Sequence, residues 1–222
     1  MSHGGHYGSV GDEAMIWMDA ARATLAFIGD GRVSDRWSAE SSLPLMTVSE
    51  LTGHLVHSGI LMVGEAFAIA EVSDSEPVTA AMMLSWVPAD PDSSIHADVR
   101  HVGGSHAAHG LQSLIERATV SLDAMAPTVA TVSQSKVVAF PWAPKLSMTA
   151  GELFLSRIVE LVVHVDDLAR SVGEPTIPLD DRAIATACHV AADINIVRHG
   201  PTAVVRSLCR PDRSSPDTLR TF

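Results

Sequence analysis

Glu160 and His164 stand four residues apart in "IVELVVHVDDLAR", residues 158–170. On a helix that spacing puts a carboxylate and an imidazole on one face, separated by about 6 Å of rise, so both point into the same space. Two readings compete: a hydrogen-bonded pair within the helix, or two ligands of one cation. The flanking Ile158, Val159, Leu161, Val162, Val163 and Val165 leave the helix little face for solvent. A carboxylate taken out of water without a strong partner costs several kcal/mol. A cation satisfies both groups.

A metal needs a third ligand, and His54 and His57 in "LTGHLVHSGILMV", residues 51–63, are embedded in similarly apolar sequence. They lie about 60° apart on a helical wheel, so only one need face the site. Two histidines and one carboxylate suit Zn²⁺ with an open fourth position, or Fe²⁺ with more open positions, and spacing does not separate these metals. Asp167, three residues after His164, is placed to orient that imidazole or to serve as an ordinary helix-packing carboxylate, whereas Asp166 points away toward solvent. Arg157, one turn before Glu160, suits an anionic substrate contact or a salt bridge.

Other chemistry-bearing residues are scattered. His96, His101, His106 and His109 fall in "IHADVRHVGGSHAAHG", read as a flexible loop running into the start of a helix. They suit contacts to a polar cosubstrate, or a solvated loop, and their spacings form no compact ligand set. Trp86 and Trp142 lie in irregular connections, as pocket walls or packing anchors. Cys188 and Cys209 are too few for a disulfide framework; Cys188 reads as a small buried hydrophobe and Cys209 as an incidental thiol.

The elements that must position these groups are helical. Residues 12–28 carry apolar side chains at helical spacing behind Asp12 and Glu13, and the helix ends near "GDGR", residues 29–32. Thr47 and Glu50 form a capping-box pattern that starts a second helix at about Val48. Residues 72–104 read as irregular, with Pro77, Pro88, Pro91 and the glycines at 103 and 104; only "VTAAMMLSW" suits a short helix there. A third helix is expected over 105–126, stopped by Pro127, and "KVVAFPW" is the one extended piece in the mixed segment that follows. Thr149 and Glu152 form a second capping box, opening a helix to about Ser171 with Gly173 at its stop. "PLDDRAIATACHVAADINIVRH" follows, closed by Gly200-Pro201, then one or two turns over "TAVVRSLCR" and a flexible tail from Pro211. Four long helices predict an all-α fold: a four-helix bundle with additional C-terminal helices, in one domain over residues 1–210.

Charge narrows the partners. The 15 Lys+Arg against 26 Asp+Glu give a net charge of −11, which disfavours phosphate-backbone binding and gives no attraction to anionic lipid. The N-terminus has neither a basic region nor an apolar core, so no leader is expected, and the longest apolar stretch, 51–70, is broken by His54, His57 and Glu65. A soluble, cytoplasmic protein is the expectation.

The run "LPLMTVSELTGHLVHS", followed about 100 residues later by "MTAGELFLSRIVELVVHVDDLARSVGEP", resembles the N-terminal domain of mycothiol-dependent maleylpyruvate isomerases, part of the DinB-like group of metal-binding four-helix bundles. The resemblance covers roughly residues 40–173. In that family LP-x-x-T-x-x-E-L-x-x-H supplies a ligand histidine, matched by His54, and E-x-x-x-H-x-x-D-L supplies a glutamate and a histidine, matched by Glu160 and His164 with Asp167-Leu168 completing the pattern. His57 has no ligand counterpart. The resemblance implies Zn²⁺ on these three residues and a low-molecular-weight thiol, usually mycothiol, as cosubstrate, its pKa lowered by the metal. The isomerase carries a second, sterol-carrier-like domain for which too few residues remain, so the shorter thiol S-transferases of the group are the nearer match. The expected function is a metal-dependent thiol S-transferase or isomerase joining mycothiol or a related thiol to a small electrophile, as a monomer or homodimer. A non-catalytic metal- or small-ligand-binding bundle for sequestration or regulation is the alternative.

Overall fold

The computed structural model describes residues 12–175, 178–210 and 212. The tail expected to be flexible from Pro211 lies, residue 212 apart, outside the described residues, as does segment 1–11, where no leader was expected. The chain is mostly helical, and the named strands are an antiparallel pair, β1 (Val137–Phe140) and β2 (Ala143–Thr149). β1 falls on the extended piece expected in "KVVAFPW".

Helix α1 (Glu13–Ile28) buries Trp17, Ala21, Thr24 and Ile28, an i, i+3, i+4 stripe that gives the helix one inward side. A short α2 (Arg32–Asp35) follows. The first capping box forms as its sequence pattern predicts: the Thr47 hydroxyl accepts from the Glu50 amide and the Glu50 carboxylate accepts from the Thr47 amide at 2.7 Å, starting α3 (Val48–Val56). The helix then widens into a π-helical turn (His57–Leu61) before returning to α-geometry in α4 (Met62–Ala68). The turn's carbonyls attract side-chain donors, the indole of Trp17 to Gly59 at 2.8 Å and the guanidinium of Arg157 to Ser58 at 3.0 Å. Next come α5 (Ala80–Ser85), α6 (Ser94–Ala107), α7 (Gly110–Val129), α8 (Ala150–Val172), α9 (Asp181–His199) and α10 (Pro201–Cys209). Thr149 caps α8, and Gly173 ends it at φ 79°, a conformation that glycine adopts without a Cβ penalty.

Helix α1 packs against α7 and α8, and the α3–π–α4 segment packs against the same two, so these four helices close a ring. Helix α6 lies along α3, α9 covers α8 and α5, and α10 packs on α9. One contiguous apolar core runs through the ring and out to Ala183, Ala187, Val190 and Ile194 of α9; at its centre Trp17 and Phe154 sit with ring centroids 5.4 Å apart. No described helix is long and apolar enough to cross a membrane.

Three sequence expectations are corrected. Residues 94–104 are helical, not irregular, so the histidine-rich "loop" is α6, which carries His96, His101 and His106, with His109 at the N-terminus of α7. Gly103 and Gly104 are no turn: Gly103 lies inside α6 where it meets the backbone of α3, and this tertiary contact outweighs glycine's weak helix propensity. Helix α7 runs through Pro127 to Val129; Asp123 and Pro127 are exposed, so the carbonyl deprived of its donor faces water near the helix end, where the loss is small. Cys188 is exposed, because α9 turns Ala183, Ala187 and Val190 inward and Cys188 to the other side.

Candidate metal centre

Helix α3 delivers His54 and α8 delivers Glu160 and His164 to one point between them. The His54 Nε2 lies 3.5 Å from Glu160 Oε2, and the His164 Nε2 lies 3.6 Å from the same oxygen. The two imidazoles meet edge to face with centroids 4.7 Å apart, and the three donor atoms all lie within 4.8 Å of one another. These separations are longer than the 2.7–3.2 Å of an ordinary N–H···O hydrogen bond. They come close to the roughly 3.3 Å between two ligand atoms of a tetrahedral ion with bonds of about 2.0–2.1 Å. His54 is buried, and its Nδ1 finds no hydrogen-bond partner among the described residues, so packing rather than a second hydrogen bond holds the ring. Two nitrogens and one carboxylate oxygen converging in a buried place fit a divalent cation, and the group can hold one.

The electrostatics agree. Burial opposes the charge on Glu160, but contact with His54 and the nearby Arg157 and His164 outweigh it and hold the carboxyl below its usual range. Burial pushes His54 below its ordinary value, although Glu160 pulls the other way. Burial also opposes charge on His164, yet its hydrogen bond to Asp167 and the proximity of Glu160 win, so its pKa is raised. Before a metal binds, the site therefore tends toward one carboxylate, one neutral imidazole and one that competes for a proton.

Asp167 takes the orienting role that its spacing allowed. Its Oδ2 lies 3.0 Å from His164 Nδ1, which leaves Nε2 directed at Glu160. A carboxylate on the far ring nitrogen fixes the tautomer and raises the basicity of a metal-binding histidine. Asp167→Asn is therefore expected to weaken metal affinity by about 10–100-fold while leaving the ligand set intact; competition against a chromophoric chelator checks it, and an unchanged affinity would leave Asp167 with packing alone. Asp166 stands outside the group.

His57 turns away from the site. Its ring stacks on His106 at 4.1 Å and faces Glu65 at 3.5 Å, with Trp142 5.9 Å away. Burial, with His57 and Arg117 alongside, pushes His106 down to about 4. One contributor was missed from sequence: Ser58 donates its hydroxyl to Glu160 Oε2 at 3.1 Å. The signal was present, since Ser58 is four residues after His54 and so near the same helical face.

The centre opens into a cavity of about 730 Å³. Glu160, His54 and His164 share its wall with Ser58, Arg157 and Asp167, and most of the remaining surface is apolar. Trp86 and Trp142 both line it and are about half exposed, at its border with solvent, so both act as pocket walls. His96 also lines it, its ring nitrogen 2.8 Å from the Pro88 carbonyl, whereas His101, His106 and His109 do not. Arg157 forms no salt bridge with a described carboxylate; its Nε donates to Ser156 Oγ at 3.1 Å and Nη1 to the Ser58 carbonyl.

No family model, curated protein or solved structure matches this chain.

Proposed function

We propose that the chain is a zinc-dependent thiol S-transferase or isomerase that joins a low-molecular-weight thiol, mycothiol or a relative, to a small electrophile. The observation that carries this reading is a two-histidine, one-glutamate group opening onto a cavity large enough for small molecules. The ring of α1, α3–π–α4, α7 and α8, with the ligands on facing helices, supports a DinB-like bundle. Zinc held there would supply Lewis acidity that lowers the pKa of a thiol and favours the thiolate as nucleophile.

The chain's own residues supply the rest. Glu160 and the two imidazoles present three donors and leave one side of the group open to the cavity. Ser58 steadies the Glu160 carboxylate, and Asp167 holds the His164 ring. The apolar walls offer water few hydrogen-bond partners beside the reacting groups. Cys188 and Cys209 are exposed and stand outside the cavity, so a nucleophilic sulfur there must come from a cosubstrate.

Turnover of an activated aryl halide or an unsaturated acid with mycothiol, dependent on zinc and absent with glutathione, is the expected result. Tight thiol binding without consumption across a panel of electrophiles would replace the enzyme with a binding module.

Metal uptake should depend on pH. His164 has a raised pKa, above its ordinary 6.5, and its proton must leave before Nε2 can bind a metal. Affinity is therefore expected to be full well above that value and to fall as pH drops through it, by about tenfold per pH unit for the one proton displaced. His54, with its depressed pKa, adds no second proton until lower pH. Zinc affinity measured across that range checks the slope; a flat profile through neutrality would remove His164 from the ligand set.

A further inference from the structure

Arg157 is a buried cation that the metal chemistry leaves unused. It is only 2% exposed, sits on α8 one turn before Glu160, and contributes to the cavity wall. Its hydrogen bonds run from Nε to Ser156 Oγ, and from Nη1 to the Ser58 carbonyl and, at 3.3 Å, to Met62 Sδ. Its second terminal nitrogen, Nη2, makes no hydrogen bond among the described residues, and no described carboxylate lies in salt-bridge reach. Glu160 attracts it from further away but is already engaged by Ser58 and the two histidines. A guanidinium keeps its charge and offers five N–H donors in a planar fork suited to an oxyanion. Burying that charge without an anion in contact is costly, and a ligand that brings one removes the cost.

The rest of the cavity indicates what the anion is attached to. Trp86, Trp142, Phe140, Met46, Met83 and Val163 make most of its wall apolar. Such a wall gains by covering hydrocarbon or an aromatic ring and offers few partners to a hydroxyl-rich molecule. Arg100, part-buried on α6 with Nη1 on the Pro91 carbonyl at 2.9 Å, adds a second positive charge to the lining.

We infer that the cavity takes an apolar acid, a molecule with an aromatic or branched hydrocarbon body and one carboxylate or sulfonate, whose anionic head is received by Nη2 of Arg157 while the body lies against Trp86, Trp142 and Phe140. This rests on the proposed transferase reading in naming the class of its electrophilic substrate, but the binding it requires does not depend on turnover.

The test compares two probes of nearly equal shape, 2-naphthoate and the neutral 2-naphthalenemethanol, by calorimetric titration of the full chain with zinc and after chelation. The naphthoate is expected to bind at least about tenfold more tightly in both states, as a charged hydrogen bond in a buried site implies. Equal binding of the neutral probe overturns the inference. A preference that vanishes on zinc removal assigns the anion to the metal instead and also overturns it. In Arg157→Met the preference is expected to fall to about twofold or less, and in Arg157→Lys, which keeps the charge, to survive in reduced form. A role for Arg157 confined to holding the Ser58 carbonyl would weaken both probes alike and leave the ratio unchanged. If the Met variant fails to fold, the wild-type ratio and the Lys variant still decide. Zinc content, read on each sample, separates the two ideas: anion preference in a chain that holds no zinc keeps this inference and loses the metal centre, and zinc without preference does the reverse.

Discussion

Glu160→Gln is expected to lower zinc affinity by well over a hundredfold, because even the loss of a group that only orients a ligand costs about 10–100-fold and here a ligand itself is lost. The substitution keeps the side chain's volume and an oxygen for the Ser58 hydroxyl, so the contact at 3.1 Å survives and the change falls on charge. An amide oxygen is a weaker ligand for zinc than a carboxylate, and His54 and His164 alone would offer only two of the three donors that the group presents. Thermal melting gives a second readout. If zinc binds the native chain at about a thousand times its dissociation constant, it stabilises by about 4 kcal/mol, which raises the melting temperature by roughly 8–16 °C for a chain of this size. A hundredfold loss of affinity leaves about 1.4 kcal/mol of that, so the rise is expected to fall to about a third or less in the variant. The comparison must be with and without zinc for each protein, since removing the carboxylate also strips Arg157 of its nearest anion and lowers the metal-free stability by itself. Zinc retained at full stoichiometry by Glu160→Gln would overturn the assignment of the centre.

Gly53→Ala is expected to destabilise the fold by about 1–3 kcal/mol, a drop of roughly 2–12 °C in melting temperature, and to weaken zinc binding with it. A Cβ at Gly53 would stand 2.0 Å from the Gly103 carbonyl oxygen and 3.1 Å from the Ala107 amide nitrogen, both backbone atoms of α6 that cannot rotate aside. Helix α6 would have to move away from α3, and Gly103 is itself against His54, where its own Cβ would lie 3.1 Å from the histidine Cβ. The displaced helix therefore loosens the residue that presents the first imidazole. Gly104→Ala is the control: its Cβ would meet only the Glu50 side chain at an ordinary 3.6 Å. Alanine there should be neutral or stabilising by up to about 1 kcal/mol, as glycine is a poor helix former. Equal melting temperatures for Gly53→Ala and Gly104→Ala would mean that α3 and α6 do not approach so closely.

Part of this architecture was written in local sequence. The Thr47/Glu50 and Thr149/Glu152 pairs predicted where α3 and α8 begin, because the threonine cap spans only three residues, but only the first pair closes a full capping box: the Glu152 carboxylate accepts from the Ala80 amide instead. The four-residue spacing of Glu160 and His164 put them on one face for the same reason. What could not be read locally is instructive. The glycine pair at 103 and 104 looks like a turn in isolation and is helix in the fold, since the backbone of α3 needs a surface without side chains to pack on. Pro127 looks like a stop and is not, because the bond it removes lies on a solvated face near a helix end. The π-helical turn left no sequence signature, yet it begins at His57, which points toward Glu65 and His106 rather than the metal group.

Periodicities and caps that act within a few residues thus specify the helical class, the starts of α3 and α8, and Glu160 and His164 on one helical face; they left His54 and His57 open, and His54 was singled out only by the family resemblance. The packing of α3 on α8 brings His54 to Glu160 and His164, as the resemblance implied, turns His57 away, sets Ser58 and Asp167 against the group, and leaves Arg157 bordering an apolar cavity with a free donor. These depend on how α3 and α8 face one another across about a hundred residues of intervening chain, and side-chain convergence at that range is set by packing, which no local pattern encodes.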